Sequence, residues 1–599
     1  MTRTPLLSLG IWSAVATVQL VAVPLATVQI TAVQAEPVSR QDPEPASNQP
    51  SAISTASGSA VVVTAHPLAS QAALETLRAG GQAVDAVVAA QAVLAVVEPQ
   101  SSGLGGGGFL LHWNAERRQL QVLDGRETAP LSSRADDLLD ASGRPLPWLE
   151  ATRSLHSIGI PGTVALLWEA HQQHGRRPWK QLLTPAIALA RDGFMPSPRL
   201  LQSSRLAKRL GGDHNTAFQQ LYLPGGKAIQ AGQRLRNPAL AHTLEHLADH
   251  GGSAFYRGAL AHQILRELAS LSRDEPRFRG WSAADLAGYQ VIERRPLCSD
   301  WRGYRLCSVP APSSGGLALQ QSLALWEALG PESRIQRPGG WQRLALALAW
   351  ADVDRLYWVR DPVDGAPWIP ALLKPAYIRA RAMRISCDPR SRPVPGLPPG
   401  QPRYPFARAP SGREDGTTQI TVVDADGNLA SYTASVETVF GSRHLVAGMV
   451  MNNQLTDFSF RPSISGLPIA NQRRAGRRPV SSMAPTVVLR EGIPVLAVGS
   501  PGGRRIPHYL SRTLLAALVW QEPPERSVAL PHLSVDGDAL VIEREAPLDW
   551  PTAAEQLATP GQALRSQRFG SGTALLQRIN GRWYGAADPR REGRALALP

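Results

Sequence analysis

The dipeptide Gly416-Thr417 stands where a Pro- and Arg-rich run gives way to alternating strand residues. A threonine hydroxyl is a weak nucleophile until a base takes its proton. Cutting the Gly416–Thr417 bond would supply that base, because Thr417 would gain an α-amine with an ordinary pKa of roughly 7.7 to 8.0. Nucleophile and base would then be one residue. The intact chain has a chemical route to this state. Thr417 Oγ attacks the carbonyl of Gly416, an N-to-O acyl shift gives an ester, and water opens it. Glycine at 416 helps, since a Cβ there would obstruct the approach.

Other residues offer matching chemistry. Gly502 and Gly503, in GSPGGRRI, present backbone N–H groups that suit an oxyanion and equally suit a plain turn. Arg126, in DGRETAP, carries a planar guanidinium able to grip both oxygens of a carboxylate. The Gly-rich stretch SGLGGGGFLL lacks the Lys-Ser/Thr ending of a phosphate loop and leads into a strand, so close backbone packing is the better reading. His242, His246 and His262 lie along helix faces without a second set of ligands, and no metal or cofactor is called for.

Elements must hold these groups. Gln419 to Val423 alternates, Asp426-Gly427 supplies a turn, and Leu429 to Ser435 returns, which predicts a hairpin with Thr417 at its start. A second hairpin is expected from Thr486–Leu489 and Val495–Val498, and a helix from about Pro507 to Trp520. Ser70 to Val97 reads as two helices broken at Gly80-Gly81, and helical spacing dominates from Ile160 to about Arg384.

Several blocks, taken in order, resemble the γ-glutamyltransferase family: GTTQITVVDADGN from Gly416, NNQLTDF from Asn452, RPVSSMAPT from Arg478 and GSPGGRRI from Gly499. GGQAVDAVVAA, EPQSSGLGGGGFLL, DGRETAP, PGTVALLWEAH, ARDGF and PSSGG extend the resemblance over nearly all of the chain beyond the first sixty residues. It implies an α+β fold, the four-layer αββα sandwich of the N-terminal nucleophile hydrolases. One precursor would yield a large chain, 59–416, and a small catalytic chain, 417–599, associated as a heterodimer. By the same resemblance Thr417 is the nucleophile and Gly502 and Gly503 form the oxyanion hole. Ser435 stands where the family usually has a Thr steadying the nucleophile's hydroxyl. Arg126, Ser481 and Ser482 correspond to the pocket for a substrate α-carboxylate, and Gln454 and Asp457 to that for its ammonium. The implied partners are a small γ-glutamyl amide such as glutathione, and water or an amino acid or peptide acceptor.

Two departures point elsewhere. Glu437 replaces an Asn near the substrate amine, and Thr456 replaces an acid beside Asp457. That combination resembles members named cephalosporin or glutaryl acylases, yet a glutaryl chain has no amine and an extra carboxylate would repel it. Both substrate classes therefore stand, with poly-γ-glutamate as a further amide and an uncleaved binding protein as the non-enzymatic alternative. The loop Ser459 to Val480 is shorter than the family's lid and lacks Tyr, which favours hydrolysis over transfer.

The net charge of +14 is almost all arginine, since only Lys180, Lys208, Lys227 and Lys374 are lysines. The arginines are scattered rather than gathered on one face, which argues against a nucleic-acid surface. Cys298 and Cys307 flank Arg302-Gly303 in what reads as a hairpin, either as a cross-strand disulfide or as two packed thiols. Residues 1–35 have a basic start, an apolar body and the exit Val33-Gln34-Ala35, the pattern of a secretory signal peptide, with an uncleaved anchor as the alternative. A periplasmic or secreted location follows. Residues 36–58 read as a flexible tether, and 388–416 as an exposed arm freed by self-cleavage.

Overall fold

Strand-forming runs separated by tight turns build two seven-stranded sheets, and the helical stretches cover their outer faces. The computed structural model describes residues 1–2 and 52–599, except 363–365, 388–391, 402–403, 408–415, 538, 554–555 and 559–561. The signal-peptide reading and most of the tether fall outside the described residues. Within the unit 41–599, the sheet strands in chain order begin with β1 Ser54–Gly58, β2 Ala60–Thr64, β3 Gly107–Asn114 and β4 Gln119–Gly125. Next come β5 Ile292–Arg294, β6 Leu297–Trp301, β7 Tyr304–Ser308, β8 Gly416–Val423 and β9 Leu429–Glu437. The last are β10 Thr486–Arg490, β11 Ile493–Gly499, β12 Ala574–Ile579, β13 Arg582–Ala587 and β14 Arg594–Leu598. One sheet runs β14-β2-β8-β9-β3-β4-β5, and the other β1-β13-β12-β11-β10-β7-β6.

Period-two alternation gives each strand two apolar faces. Val62, Leu110, Ile420, Val422 and Tyr432 share one core with helices α1 Pro67–Arg78 and α2 Ala83–Val97. The opposite faces, with Val61, Val63, Phe109 and Leu111, share the core that contains Val487, Leu496, Val498 and Leu575 of the second sheet. Helices α3 Gly315–Ala328, α4 Pro338–Trp358 and α5 Ile506–Leu518 belong to that core too and cover the far side of the second sheet. The order is helix, sheet, sheet, helix. Every residue of α2 is buried, which its all-round Ala/Val composition requires.

Two local readings change, and one with two alternatives is decided. Ser54–Gly58 is not tether but an edge strand, in register with Trp583–Ala587 of β13. Parts of the expected exposed arm are anchored: Gly396 N–H donates to Asp354, Phe406 is buried, and its carbonyl accepts from Tyr357 Oη at 2.6 Å. Gly416, the arm's last residue, is buried in β8. Cys298 and Cys307 face each other across β6 and β7 and form a disulfide. Among the described residues, no helix is long and apolar enough to cross a membrane.

Candidate active site

Sheet register places the predicted residues in a row. Thr417 at the start of β8 is paired with Ser435 on β9, Ser435 with Gly107 on β3, and Gly108 with Gly125 on β4, so Arg126 follows at the end of the same row. Three strand spacings, roughly 14 Å, separate the backbone of Thr417 from that of Arg126. An Arg side chain and a short diacid can share that gap.

Thr417 is buried, at 3% exposure, and the register slips between Gly416 and Thr417. Ser435 Oγ donates to the Gly416 carbonyl and accepts from the Glu437 N–H at 2.9 Å. In the uncut chain this hydroxyl thus acts on the scissile carbonyl, whereas the resemblance had implied the nucleophile's own hydroxyl. Arg591 Nη1 holds the Thr417 carbonyl at 2.7 Å, and Thr418 Oγ1 donates to the buried Glu98 at 2.7 Å. The backbone on both sides of the bond is therefore fixed.

The Gly502-Gly503 pair follows β11 after Ser500 and Pro501. A Cβ at Gly499 would fall 2.2 Å from the side chain of Gln419, so the end of β11 lies against β8 two residues beyond Thr417. Gly502 has φ +130 and lies against the ring of Tyr509, where a Cβ would come within 2.3 Å; no other residue fits. Gly503 opens the turn Gly503–Arg505 that runs into α5. Backbone N–H groups in such a turn are suited to a developing oxyanion.

At the row's far end, Arg126 Nη2 pairs with Asp457, and Gln454 Nε2 donates to the same carboxylate at 2.7 Å. Arg126 also holds the carbonyls of Pro479, at 3.3 Å, and Val480, at 2.9 Å, the residues that lead into Ser481 and Ser482. Cation and anion are thus both present and paired with each other. A zwitterionic head group could replace that pair without leaving a buried charge alone. Glu437, at φ +82, receives Asn453 Nδ2 on its carboxylate, and Asn453 Oδ1 accepts from Thr438 N–H at 3.0 Å.

Two functional candidates escaped the sequence reading. Glu127 is fully buried, 3.5 Å from Arg126, and neither of its oxygens has a hydrogen-bond partner among the described residues. Burial raises its pKa to about 7 against the pull of Arg126. Arg355, on α4, reaches Ser482 Oγ at 2.7 Å, Ser314 Oγ at 3.2 Å and the Arg504 carbonyl at 2.8 Å. Glu127 had a signal, adjacency to Arg126. Arg355 had none, because its partners are remote in sequence.

A family model described as gamma-glutamyltranspeptidase matches residues 69–598. The chain belongs to the gamma-glutamyltranspeptidase family. It is 32% identical over 553 residues to the glutathione hydrolase proenzyme of Bacillus subtilis, covering 90% of this chain and 91% of that protein. Similarity to the acylase ACY 1 proenzyme of a Pseudomonas species is 31% over 558 residues, covering 91% and 94%. A cephalosporin acylase structure from Bacillus halodurans superposes with a TM-score of 0.79 at 26% identity, over 92% of this chain and 97% of that one. The fold is that of the N-terminal nucleophile hydrolases, and the chain is an enzyme of this family.

Proposed function

We propose that the protein is a self-cleaving γ-glutamyl hydrolase and transferase, acting on glutathione and related amides. The observation that carries this reading is the Ser435 hydroxyl on the Gly416 carbonyl, beside a buried Thr417. Donation to that oxygen stabilises the charge that forms when Thr417 Oγ attacks. Cleavage between Gly416 and Thr417 then gives the large chain, from about 59 to 416, and the small chain, 417–599.

In the mature enzyme the Thr417 α-amine takes the proton of its own Oγ, which attacks the substrate's amide carbonyl. The N–H groups of Gly502 and Gly503 hold the oxyanion, and the ammonium of Thr417 protonates the leaving amine. Water or an acceptor amine then attacks the acyl-enzyme ester. Arg126 with Ser481 and Ser482 takes the substrate α-carboxylate, while Asp457, Gln454 and Glu437 take its ammonium. The short loop 459–480 admits water, so hydrolysis prevails over transfer. Export by the segment 1–35 fits a substrate met outside the cytoplasm.

A second reading keeps the nucleophile and changes the acyl group to glutaryl, and the likeness to the two acylases favours it. Release of p-nitroaniline from γ-glutamyl and glutaryl anilides, measured side by side, separates the two. The γ-glutamyl reading expects the first to be faster; a faster glutaryl reaction would reverse the assignment.

A further inference from the structure

One buried guanidinium ties together both ends of the acyl-binding site. Arg355 is 2% exposed, and each of its three nitrogens has its own partners. Nε is held by Asp352 at 2.7 Å. Nη1 donates to Ser482, at the carboxylate end, and to Ser314. Nη2 donates to the carbonyl of Arg504, in the turn that begins with Gly503, at the scissile end. Asp352 is fixed in turn by His508 Nε2 at 3.1 Å, and His508 Nδ1 meets Ser534 Oγ at 2.8 Å. His508 lies in the first turn of α5, so the same anchor also holds the helix that follows the turn.

We propose that Arg355 is a positioning residue that fixes the spacing between Ser482 and the Gly502–Arg504 turn, and thereby the length of acyl chain the enzyme accepts. The inference rests on the acyl-transfer reading and holds for glutamyl and glutaryl donors alike, because both are five-carbon diacids of one length. The reason is geometric. A planar fork with several donors in fixed directions sets distances between its acceptors, which a flexible ammonium cannot do. Each contact is charge-assisted, and those to Ser314 and Ser482 are fully buried, so the frame resists displacement. A four-carbon acyl group would fail to span the two ends, and a six-carbon one would have to buckle between them.

The test compares kcat/KM of wild type and Arg355→Lys on four p-nitroanilides: γ-glutamyl, glutaryl, β-aspartyl and δ-(α-aminoadipyl). Wild type should prefer both five-carbon donors. Arg355→Lys should narrow the preference over the shorter and longer donors by about tenfold or more, with glutamyl and glutaryl rates falling together. A purely structural role predicts that all four rates fall in step with unchanged ratios, and that result would overturn the proposal. If the Lys variant does not accumulate as folded, cleaved protein, Asp352→Asn decides by the same ratios, since it keeps Arg355 and removes its anchor. Wild type inert on both five-carbon donors would overturn the acyl-transfer reading instead.

Discussion

Charge at Arg126 is shared between a fixed partner and a titrating one. Asp457 is bonded to it directly, while Glu127 lies 3.5 Å away with a pKa raised to about 7 by burial. Below that pH Glu127 is neutral and adds no second negative charge beside the guanidinium; above it, a second anion competes with a substrate carboxylate. KM for γ-glutamyl anilide should therefore rise as pH passes about 7, and Glu127→Gln should flatten that rise. Stability carries the same sign. The folded pKa lies above the ordinary 4.5, so Glu127 contributes stability that is full below about 4.5 and lost as pH rises through about 7. Melting temperatures of Glu127→Gln across that window should show a weaker decline than wild type. Arg126→Lys keeps the charge and loses the fork. One charge-assisted hydrogen bond, about 1.5–3 kcal/mol, corresponds to a loss in kcat/KM on the order of ten- to a hundred-fold, seen mainly in KM. Thr417→Ala removes the hydroxyl that would cut the chain, so the α-amine is never freed, and a denaturing gel should show one uncut band and activity at background.

The hairpin β8–β9 is the element on which maturation depends, and Gly416 has no room for a side chain. A Cβ there would meet the carbonyl oxygens of Glu437 at 2.7 Å and Thr438 at 2.8 Å, both backbone atoms that cannot swing away. Gly416→Ala should accordingly slow self-cleavage, measured as uncut precursor remaining over time, while Thr417 stays chemically intact. This hairpin was readable from sequence because alternation, the Asp426-Gly427 turn and the Gly416-Thr417 junction all lie within one short stretch. The pairing of Arg126 with Asp457 was half readable: each residue belonged to a motif, but their mutual contact depends on how the row of strands is ordered. Ser54–Gly58 was misjudged because small polar residues look like linker, and only pairing with β13 makes them a strand. Phe406 was missed similarly, an aromatic within a Pro-rich run whose carbonyl is captured by Tyr357 on a distant helix. Arg355 shows the limit most clearly, since its contacts with Ser314, Ser482 and Arg504 exist only once α3, α4 and the second sheet are packed.

At the scale of the molecule, cutting the Gly416–Thr417 bond would not separate two halves. In the first sheet, β2 comes from the chain before the cut, yet both its neighbours, β14 and β8, come from the chain after it. On the other side, β9 of the later chain pairs with β3 of the earlier one along seven residue pairs. In the second sheet, β10 pairs with β7 and β13 with β1, again across the cut. Both apolar cores draw on residues from either side, so separation would expose the interior of each layer as well as the strand edges. The two fragments should therefore elute together in size-exclusion chromatography under native conditions and part only in denaturant. Their loss of mutual contact should coincide with the main unfolding transition in circular dichroism, because each sheet is a single cooperative unit made from both chains. Dissociation at a denaturant concentration well below that transition would contradict the interleaving and with it the shared frame that brings Arg126 and Thr417 to one site.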